Sequence, residues 1–480
     1  MSTIKQKYQC FMQNNKITKN IDLVLSSYYF PFFLGLMLLI SNLFSLEIAC
    51  FSIIFILGIS IFLFCKNPKG IIGIILMYQM AMSYKNGPSN VLNPSVPTIY
   101  DNKGLMIYFG IGIGLVFLAA IFNFIIYDQY KKIFKKSLLL LPPLIILSIG
   151  YVMGGVGSNY LSTNNLIYAL SNIGMILGIY IYFSDIGFDE KDDSFKYISY
   201  IMLVTSIVIG LELVYVYFTN NVIVNGAIDK DALRTGWGIQ NTFSCFLALS
   251  TPFIVSLIVK EKCKYPYVIA LIFNILSIIA TLSRNGFMLI VFEIIVILIY
   301  LIVKKKISKK VLIITSSITL VIVGLCLILF FDEIYALVKP VIDLGFNLNG
   351  RNELYEEGIN NFLESPIFGT GWLKTAYIEV SNKPISFAPN SKFHNIFIQL
   401  LSSCGIFGLL AWLFFVLYIG YICFKYKSKE NMILFFVFFT LIFANLFDKF
   451  FFDYNFEKYM AIFFSLISIY SMKSRSLSLN

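Results

Sequence analysis

The sequence predicts an all-α fold, a polytopic membrane helix bundle, and three observations lead to that prediction. Hydrophobic residues make up 58% of the 480 positions and charged residues only 13%, far from the composition of a soluble domain. Apolar runs of membrane-spanning length recur from residue 27 almost to the C-terminus. Lysines gather in alternate connections between these runs. We therefore expect about 12–14 transmembrane helices and one large extracytoplasmic loop that carries short helices.

Fourteen apolar runs are candidate spans, and the third is short and polar enough to make twelve or thirteen true spans an alternative. The runs cover residues 27–44, 47–65, 70–84, 104–127, 136–153, 164–184, 196–218, 238–259, 265–282, 285–303, 311–331, 397–424, 431–448 and 455–472. They divide the chain into five parts. These are a cytoplasmic N-terminal segment (1–26), a transmembrane bundle (27–331), an extracytoplasmic loop (332–393), C-terminal transmembrane helices (394–472) and a cytoplasmic tail (473–480).

The charge distribution fixes the expected orientation. Counted by these loops, 25 of the 37 Lys and Arg residues fall on one side and 12 on the other. Because cytoplasmic loops carry the excess of Lys and Arg, the richer side is the predicted cytoplasmic side and holds both termini. The net charge of +11 therefore records membrane orientation, and it does not indicate a nucleic-acid partner. The eight cysteines form no C-x-x-C pair, so the sequence suggests neither a disulfide framework nor a zinc site.

The long loop at 332–393 has an internal pattern of its own. Residues 350–358 predict a short helix that starts near Asn349 or Gly350. A turn rich in Gly and Pro follows over residues 365–372, and a polar stretch continues to His394. As the one long stretch that avoids lipid, this loop is where we expect the chemistry.

Arginine is scarce on the predicted outer side, where only Arg234, Arg284 and Arg351 occur. A guanidinium group is a planar, permanently charged fork that grips phosphate through two hydrogen bonds. Three such groups from three separate segments would suit a diphosphate. The alternative is that each arginine anchors its own loop to lipid headgroups.

His394 is the only histidine in the chain, and it stands where the long loop meets the next span. A neutral imidazole at that place could accept a proton from a sugar hydroxyl, although a lone histidine is more often a packed or interfacial residue. Glu353, Glu356 and Glu357 on the short helix are alternative bases or acceptor-binding groups. One histidine without an acidic cluster disfavours metal catalysis. Asp448 and Lys449 are interpreted as an interfacial ion pair.

Five motifs occur in a fixed order in the second half of the chain. They are Arg234-Thr235-Gly236-Trp237-Gly238-Ile239-Gln240-Asn241, Leu282-Ser283-Arg284-Asn285-Gly286, Gly350-Arg351, Pro366 to Trp372, and His394-Asn395 with Gln399-Leu400, Gly405-Ile406 and Gly408-Leu409. Over about residues 230–425 their order resembles the O-antigen ligase/polymerase superfamily. Two positions depart from the usual pattern. Ser403 stands where an acidic residue is common, and Ile239-Gln240 replaces an approach that contains proline.

The resemblance implies a bacterial GT-C type membrane glycosyltransferase that works in the cytoplasmic (inner) membrane, with its active site on the extracytoplasmic side and without a cofactor or metal. The donor would be an undecaprenyl-diphosphate-linked glycan, and the acceptor a glycan or another hydroxyl. His394, Arg351 and Arg284 would be catalytic; the residues expected to bind substrate are Arg234, Asn241, Glu353, Glu357 and Asn395.

Three functions stay open at this point. A polymerase would join lipid-linked repeat units to one another, as for a capsule, whereas a ligase would move a finished glycan to another acceptor. A transporter of lipid-linked oligosaccharide is less favoured, because the charges lie at one face and not at the bilayer midplane where carriers bind. Flippase and chain-length regulator proteins are possible partners of a polymerase.

Overall fold

The structure is a computed structural model that describes residues 2–81, 103–188, 193–219, 222–224, 227–228, 232–303, 351–374, 393–448, 450 and 454–479. Within these ranges the chain forms sixteen α-helices and two very short β-hairpins. The predicted all-α, polytopic helix bundle is confirmed. The predicted span at 311–331 and the loop segments 332–350 and 375–392 lie outside the described residues.

The N-terminal half begins with two polar helices and continues with apolar ones, because the apolar runs start only near residue 29. Its helices are α1 (Ser2–Asn14), α2 (Lys16–Leu25), α3 (Phe30–Phe44), α4 (Glu47–Phe64), α5 (Gly70–Met77), α6 (Lys103–Ile126), α7 (Leu141–Val152), α8 (Thr163–Asp185) and α9 (Ser194–Thr219). A 3₁₀ turn, Tyr78–Ala81, extends α5. The helical α1 and α2 were not predicted from the sequence.

The C-terminal half opens with the two hairpins, β1 (Ile223–Val224) with β2 (Ala227–Ile228) and β3 (Arg234–Thr235) with β4 (Gly238–Ile239), both antiparallel. The helices that follow are α10 (Gln240–Lys260), α11 (Tyr265–Ala280), α12 (Arg284–Val303), α13 (Arg351–Glu364), α14 (Ile396–Lys425), α15 (Lys429–Ala444) and α16 (Tyr454–Leu479). The short helix predicted at 350–358 is confirmed and runs six residues further, to Glu364. The predicted tight turn before Arg284 is confirmed as well.

Membrane-spanning helices are fewer in the described residues than the sequence predicted. Six helices are long and apolar enough to cross a membrane, namely α4, α6, α8, α9, α10 and α14. The pair α2 and α3, bent by 72°, would add a seventh, and α7 and α11 are shorter apolar helices. The chain is a multi-pass membrane protein; its full count of spans stays a prediction.

Lysines from several of the described connections meet at one end of the bundle, here called the basic end. Lys260 Nζ lies 3.1 Å from Glu430 Oε1, which joins the end of α10 to the start of α15. Lys196 Nζ lies 2.6 Å from Glu261 Oε1, which joins α9 to the same place. The opposite end, where α14 begins, is here called the site end. The starts of α9 and α15 and the end of α10 thus lie at the same end of the bundle, as the loop charges predicted for these three helices.

A break in α14 lets part of the predicted loop enter the bundle. Gly405 has φ +64° and ψ −165°, a conformation that is open almost only to glycine. The chain 366–371 crosses the break, where Thr370 N donates to Ser402 O at 2.8 Å and Ile406 N donates to Pro366 O at 2.9 Å. The carbonyl and amide groups freed by the break therefore bond to this segment, as buried backbone groups must.

The same segment is fixed against α7 and α8 by Trp372. Its ring stacks on Tyr151 at 4.1 Å between centroids, and its indole N–H donates to Tyr151 O at 3.1 Å. Asn165 bridges the contact: its Oδ1 accepts from Trp372 N at 2.7 Å, and its Nδ2 donates to Gly154 O at 2.9 Å. Residues 369–373 are thus buried in the bundle and attach the end of the preceding helix to α7 and α8.

Replacing Asn165 by alanine is expected to lower the free energy of unfolding by about 3 kcal/mol, because a buried N–H and a buried C=O lose their partners together. Thermal unfolding of the purified protein in detergent measures the change. Asn164→Ala, one residue earlier in the same first turn, is the matched control and should change the midpoint temperature little. Equal effects of the two variants would contradict the bridging role of Asn165.

Candidate functional site

His394 stands at the site end, immediately before α14, in a backbone conformation set by the helix start. Its φ is +48°, in the left-handed region where Asn, Asp and His are the commonest residues after glycine. The next residue, Asn395, is the N-cap of α14: its Oδ1 accepts from Phe397 N at 2.9 Å and from Ile398 N at 3.3 Å. Its Nδ2 donates to Leu446 O at 3.3 Å. These bonds give Asn395 a structural role, and the substrate-binding role predicted for it stays a prediction.

The imidazole of His394 faces a carboxylate. Its Nδ1 lies 3.1 Å from Asp448 Oδ1, and the side chain of His394 is 29% exposed whereas that of Asp448 is 11% exposed. A hydrogen bond from Nδ1–H to a carboxylate orients the ring and leaves Nε2 as the acceptor. The sequence had assigned Asp448 to an ion pair with Lys449. The structure places Asp448 against His394. Lys449 lies outside the described residues, so its ion pair with Asp448 stays a prediction.

The backbone around the His394–Asp448 pair is also tied together. Ile396 N donates to Asn445 O at 2.9 Å, so the start of α14 is bonded to the end of α15. Asn445 Nδ2 donates to Leu441 O at 2.6 Å and closes the last turn of α15. The two side chains therefore sit on two helix ends that are bonded to each other.

The β3–β4 hairpin carries Arg234, and a buried carboxylate of the bundle accepts a hydrogen bond from its turn. Glu212 of α9 is 4% exposed; its Oε2 accepts from Gly236 N at 2.8 Å, and its Oε1 accepts from Asn42 Nδ2. Asn42 also donates to Met80 O at 2.5 Å. Trp237 stacks on Phe246 of α10 at 4.3 Å. Arg234 thus stands on a hairpin fixed to α3, α9 and α10.

Asn241 links this hairpin to the turn that carries Arg284. Its Oδ1 accepts from Ser283 Oγ at 2.8 Å, so the first turn of α10 is bonded to the residue that precedes α12. A glycine at 286 lets the helices approach, because a Cβ there would lie 2.9 Å from Ser244 Cβ. Arg284 is the first residue of α12 and is exposed. Arg234 and Arg284 therefore start from neighbouring elements at the site end.

Arg284 and the His394–Asp448 pair share that end through the packing of α12 on α15. Phe292 of α12 stacks on Phe443 of α15 with 4.7 Å between ring centroids. Helix α12 begins at the site end and α15 ends there. Arg284 and Asp448 therefore both lie between this aromatic contact and the site end. The site thus draws on α10, α12, α14 and α15.

Helix α13 begins at Arg351 and packs beside His394. Its Gly358 is buried, and a Cβ there would lie 2.4 Å from Ile398 Cγ2 and 3.2 Å from Phe393 Cδ1. Residue 351 precedes Gly358 by two helical turns, about 10 Å along the axis. Glu353 is exposed and Glu357 is half-buried. The structure therefore brings α13 to the site end, and the substrate contacts of Arg351, Glu353 and Glu357 stay a prediction.

Two carboxylates at the site were not selected from the sequence. Glu212 lies inside a predicted span, where an ionisable residue is a functional candidate by default, so its position alone could have found it. Asp448 is the last residue of a predicted span, at the same end as His394, but nothing in the sequence pairs the two residues. Within the described ranges, no three His, Cys, Asp or Glu side chains lie close enough together to hold a metal ion. Metal independence of the reaction stays a prediction.

Comparison with known proteins finds one family match, over part of the chain. Residues 269–413 match the family model described as O-antigen ligase. The matched range includes Arg284, Arg351 and His394 and ends within α14, past its break at Gly405. The match confirms the resemblance to the O-antigen ligase/polymerase superfamily. No curated protein matches the chain.

Proposed function

Because the chain carries an O-antigen ligase domain and is a multi-pass membrane protein, we propose that it is a glycosyltransferase that polymerises undecaprenyl-diphosphate-linked repeat units into a cell-surface polysaccharide. The site end would face the outside of the bacterial cytoplasmic membrane. The observation that supports this function best is the pairing of His394 Nδ1 with Asp448 on the end that also carries Arg234 and Arg284.

The proposed transfer is a single displacement at the anomeric carbon of the donor. The acceptor hydroxyl forms the new C–O bond, the bond from the anomeric carbon to the diphosphate oxygen breaks, and its electron pair leaves with undecaprenyl diphosphate. His394 Nε2 takes the hydroxyl proton, since Asp448 holds the ring by its other nitrogen. Arg234, Arg284 and Arg351 would stabilise the charge that develops on the leaving diphosphate.

Polymerase and ligase differ in the acceptor, and one assay separates them. Purified protein in nanodiscs is incubated with a lipid-linked repeat unit alone, and the products are resolved by chain length. A polymerase forms a ladder of longer lipid-linked glycans without any other acceptor. Transfer only after a second acceptor is added would make the protein a ligase. Movement of the lipid across the bilayer without a new glycosidic bond would contradict both.

Replacing Arg284 by alanine is expected to lower kcat/KM for the donor by about 10²- to 10³-fold, the usual cost of removing one preorganised donor to a developing oxyanion. Arg284→Lys should restore only part of the rate, because an ammonium group keeps the charge and loses the fork. Initial rates over a range of donor concentrations measure both variants. The control is Lys264→Ala, an exposed cation at the basic end. Full activity of Arg284→Ala would exclude Arg284 from the diphosphate site.

A further inference from the structure

A groove at the surface of the bundle runs between α3 and α4 and encloses about 310 Å³. Side chains of both helices form its walls, and they are almost all apolar. The wall residues are Phe33, Leu36, Met37 and Ile40 of α3 with Ala49 and Ile53 of α4. Ser41 and Cys50, both 2% exposed, form its floor. The groove is open along its length, and the opening faces what would be the lipid.

The upper end of this α3–α4 groove adjoins the hairpin that carries Arg234. Ser41 on the floor is followed by Asn42, whose Nδ2 donates to Glu212. The same carboxylate accepts from Gly236 N at 2.8 Å, and a Cβ on Gly236 would lie 2.8 Å from Asn42 Nδ2. The groove and the proposed diphosphate site are therefore neighbours through one buried polar contact.

The groove leads from that contact down into the membrane. Helix α3 starts near the basic end, since Tyr28 just before it lies under Lys69 and Lys196, at 5.0 and 5.5 Å from ring centroid to Nζ. It ends at the site end beside the hairpin. From Ser41 to Phe33 is eight residues, about 12 Å of helix. A ligand with a charged group at Arg234 and one apolar chain would lay that chain along this path.

We propose that the α3–α4 groove seats the first isoprene units of the lipid carrier while the diphosphate lies at Arg234; this inference rests on the proposed function. The carrier is a single apolar chain joined directly to a diphosphate. The apolar groove fits the chain, and the adjoining hairpin with Arg234 fits the diphosphate. A bilayer is as apolar as the groove walls, so seating the chain brings little hydrophobic gain. Its effect is to orient the donor, which places the anomeric carbon toward His394.

The test compares two donors that carry the same glycan diphosphate, one on undecaprenol and one on a methyl group. Leu36→Trp fills the groove. It is expected to lower kcat/KM for the undecaprenyl donor by about tenfold and to leave kcat/KM for the methyl donor unchanged. Ala49→Phe on the facing helix tests the same groove if Leu36→Trp does not fold. Ile111→Trp on α6 is the matched control, because Ile111 and Leu36 are both 59% exposed and lie about 12 Å from the site ends of their helices.

Three outcomes would overturn the groove assignment while transfer itself persists. The groove variant could affect both donors equally or neither of them, or Ile111→Trp could match its effect. A phospholipid occupant would appear as inhibition by added phosphatidylglycerol in the wild type that is absent from Leu36→Trp. If the wild type transfers the glycan from neither donor, the proposed function fails, and the groove assignment fails with it.

Discussion

Replacing His394 by asparagine is expected to slow glycan transfer by about 10²- to 10⁴-fold, the range of a lost general base. Asparagine suits the left-handed backbone at this position, where φ is +48°, so the fold should survive. Single-turnover rates with the lipid-linked donor measure the chemical step. Asn360→Ala, at an exposed position on α13, is the control and should transfer at the wild-type rate.

Asp448 is expected to act through His394, and a double-mutant cycle tests this. Asp448→Asn alone should slow transfer, because the asparagine amide can donate its N–H to Nδ1 of His394. Such a bond would rotate the ring or favour the other tautomer. In the His394→Asn background the same change should lower the transfer rate little further, since the effects of residues that act as a unit are not additive. Additive effects would mean that Asp448 supports the fold or the substrate independently of His394.

Replacing Gly405 by alanine is expected to have the largest effect on stability. A Cβ at this position would lie 2.3 Å from Ile367 O, and the backbone conformation excludes other residues. Relief of that clash would separate segment 366–371 from α14 and leave its buried backbone groups without partners. We expect a loss of at least about 3 kcal/mol in the free energy of unfolding, seen as a lower yield of folded protein and a lower thermal midpoint.

Gly420→Ala is the matched control in the same helix. The nearest atom to a Cβ at Gly420 is Phe435 Cε2 at 3.5 Å, an ordinary contact. Alanine inside a regular helix is favoured over glycine by about 0.5–1 kcal/mol, so this variant should be neutral or slightly stabilising. If Gly405→Ala unfolded at the same temperature as Gly420→Ala, the break in α14 would have no importance for the fold.

The helical bundle and the alternation of its ends could be predicted from the sequence, because apolar run length and lysine placement report on the bilayer directly. The helix at Arg351 and the turn at Arg284 were predicted from equally local signals. The break at Gly405 was not, since a glycine in an apolar run looks the same whether the helix continues or opens. Only the contact with residues 366–371, more than thirty positions away, decides it.

Candidate site residues could be selected one by one from the sequence, but the contact between His394 and Asp448 could not, and the roles of these residues stay predictions. Arg234 and Arg284 stood out because arginine is scarce on the predicted outer side, and His394 because it is the only histidine in the chain. Asp448 lies 54 residues after His394. The two residues are in contact only because the end of α15 packs against the start of α14. For Asn395, the sequence suggested substrate binding from its position beside His394. The structure shows that its side-chain oxygen caps α14. Asparagine serves either purpose, and local sequence does not separate them.

The stoichiometry of the reaction tests the central claim most directly. Purified protein in nanodiscs is given a lipid-linked repeat unit that is labelled in both its glycan and its lipid, and both products are counted. The proposed transfer predicts one molecule of undecaprenyl diphosphate for each new glycosidic bond, with both lost together in His394→Asn. Release of undecaprenyl monophosphate, or loss of donor without a new bond, would contradict it.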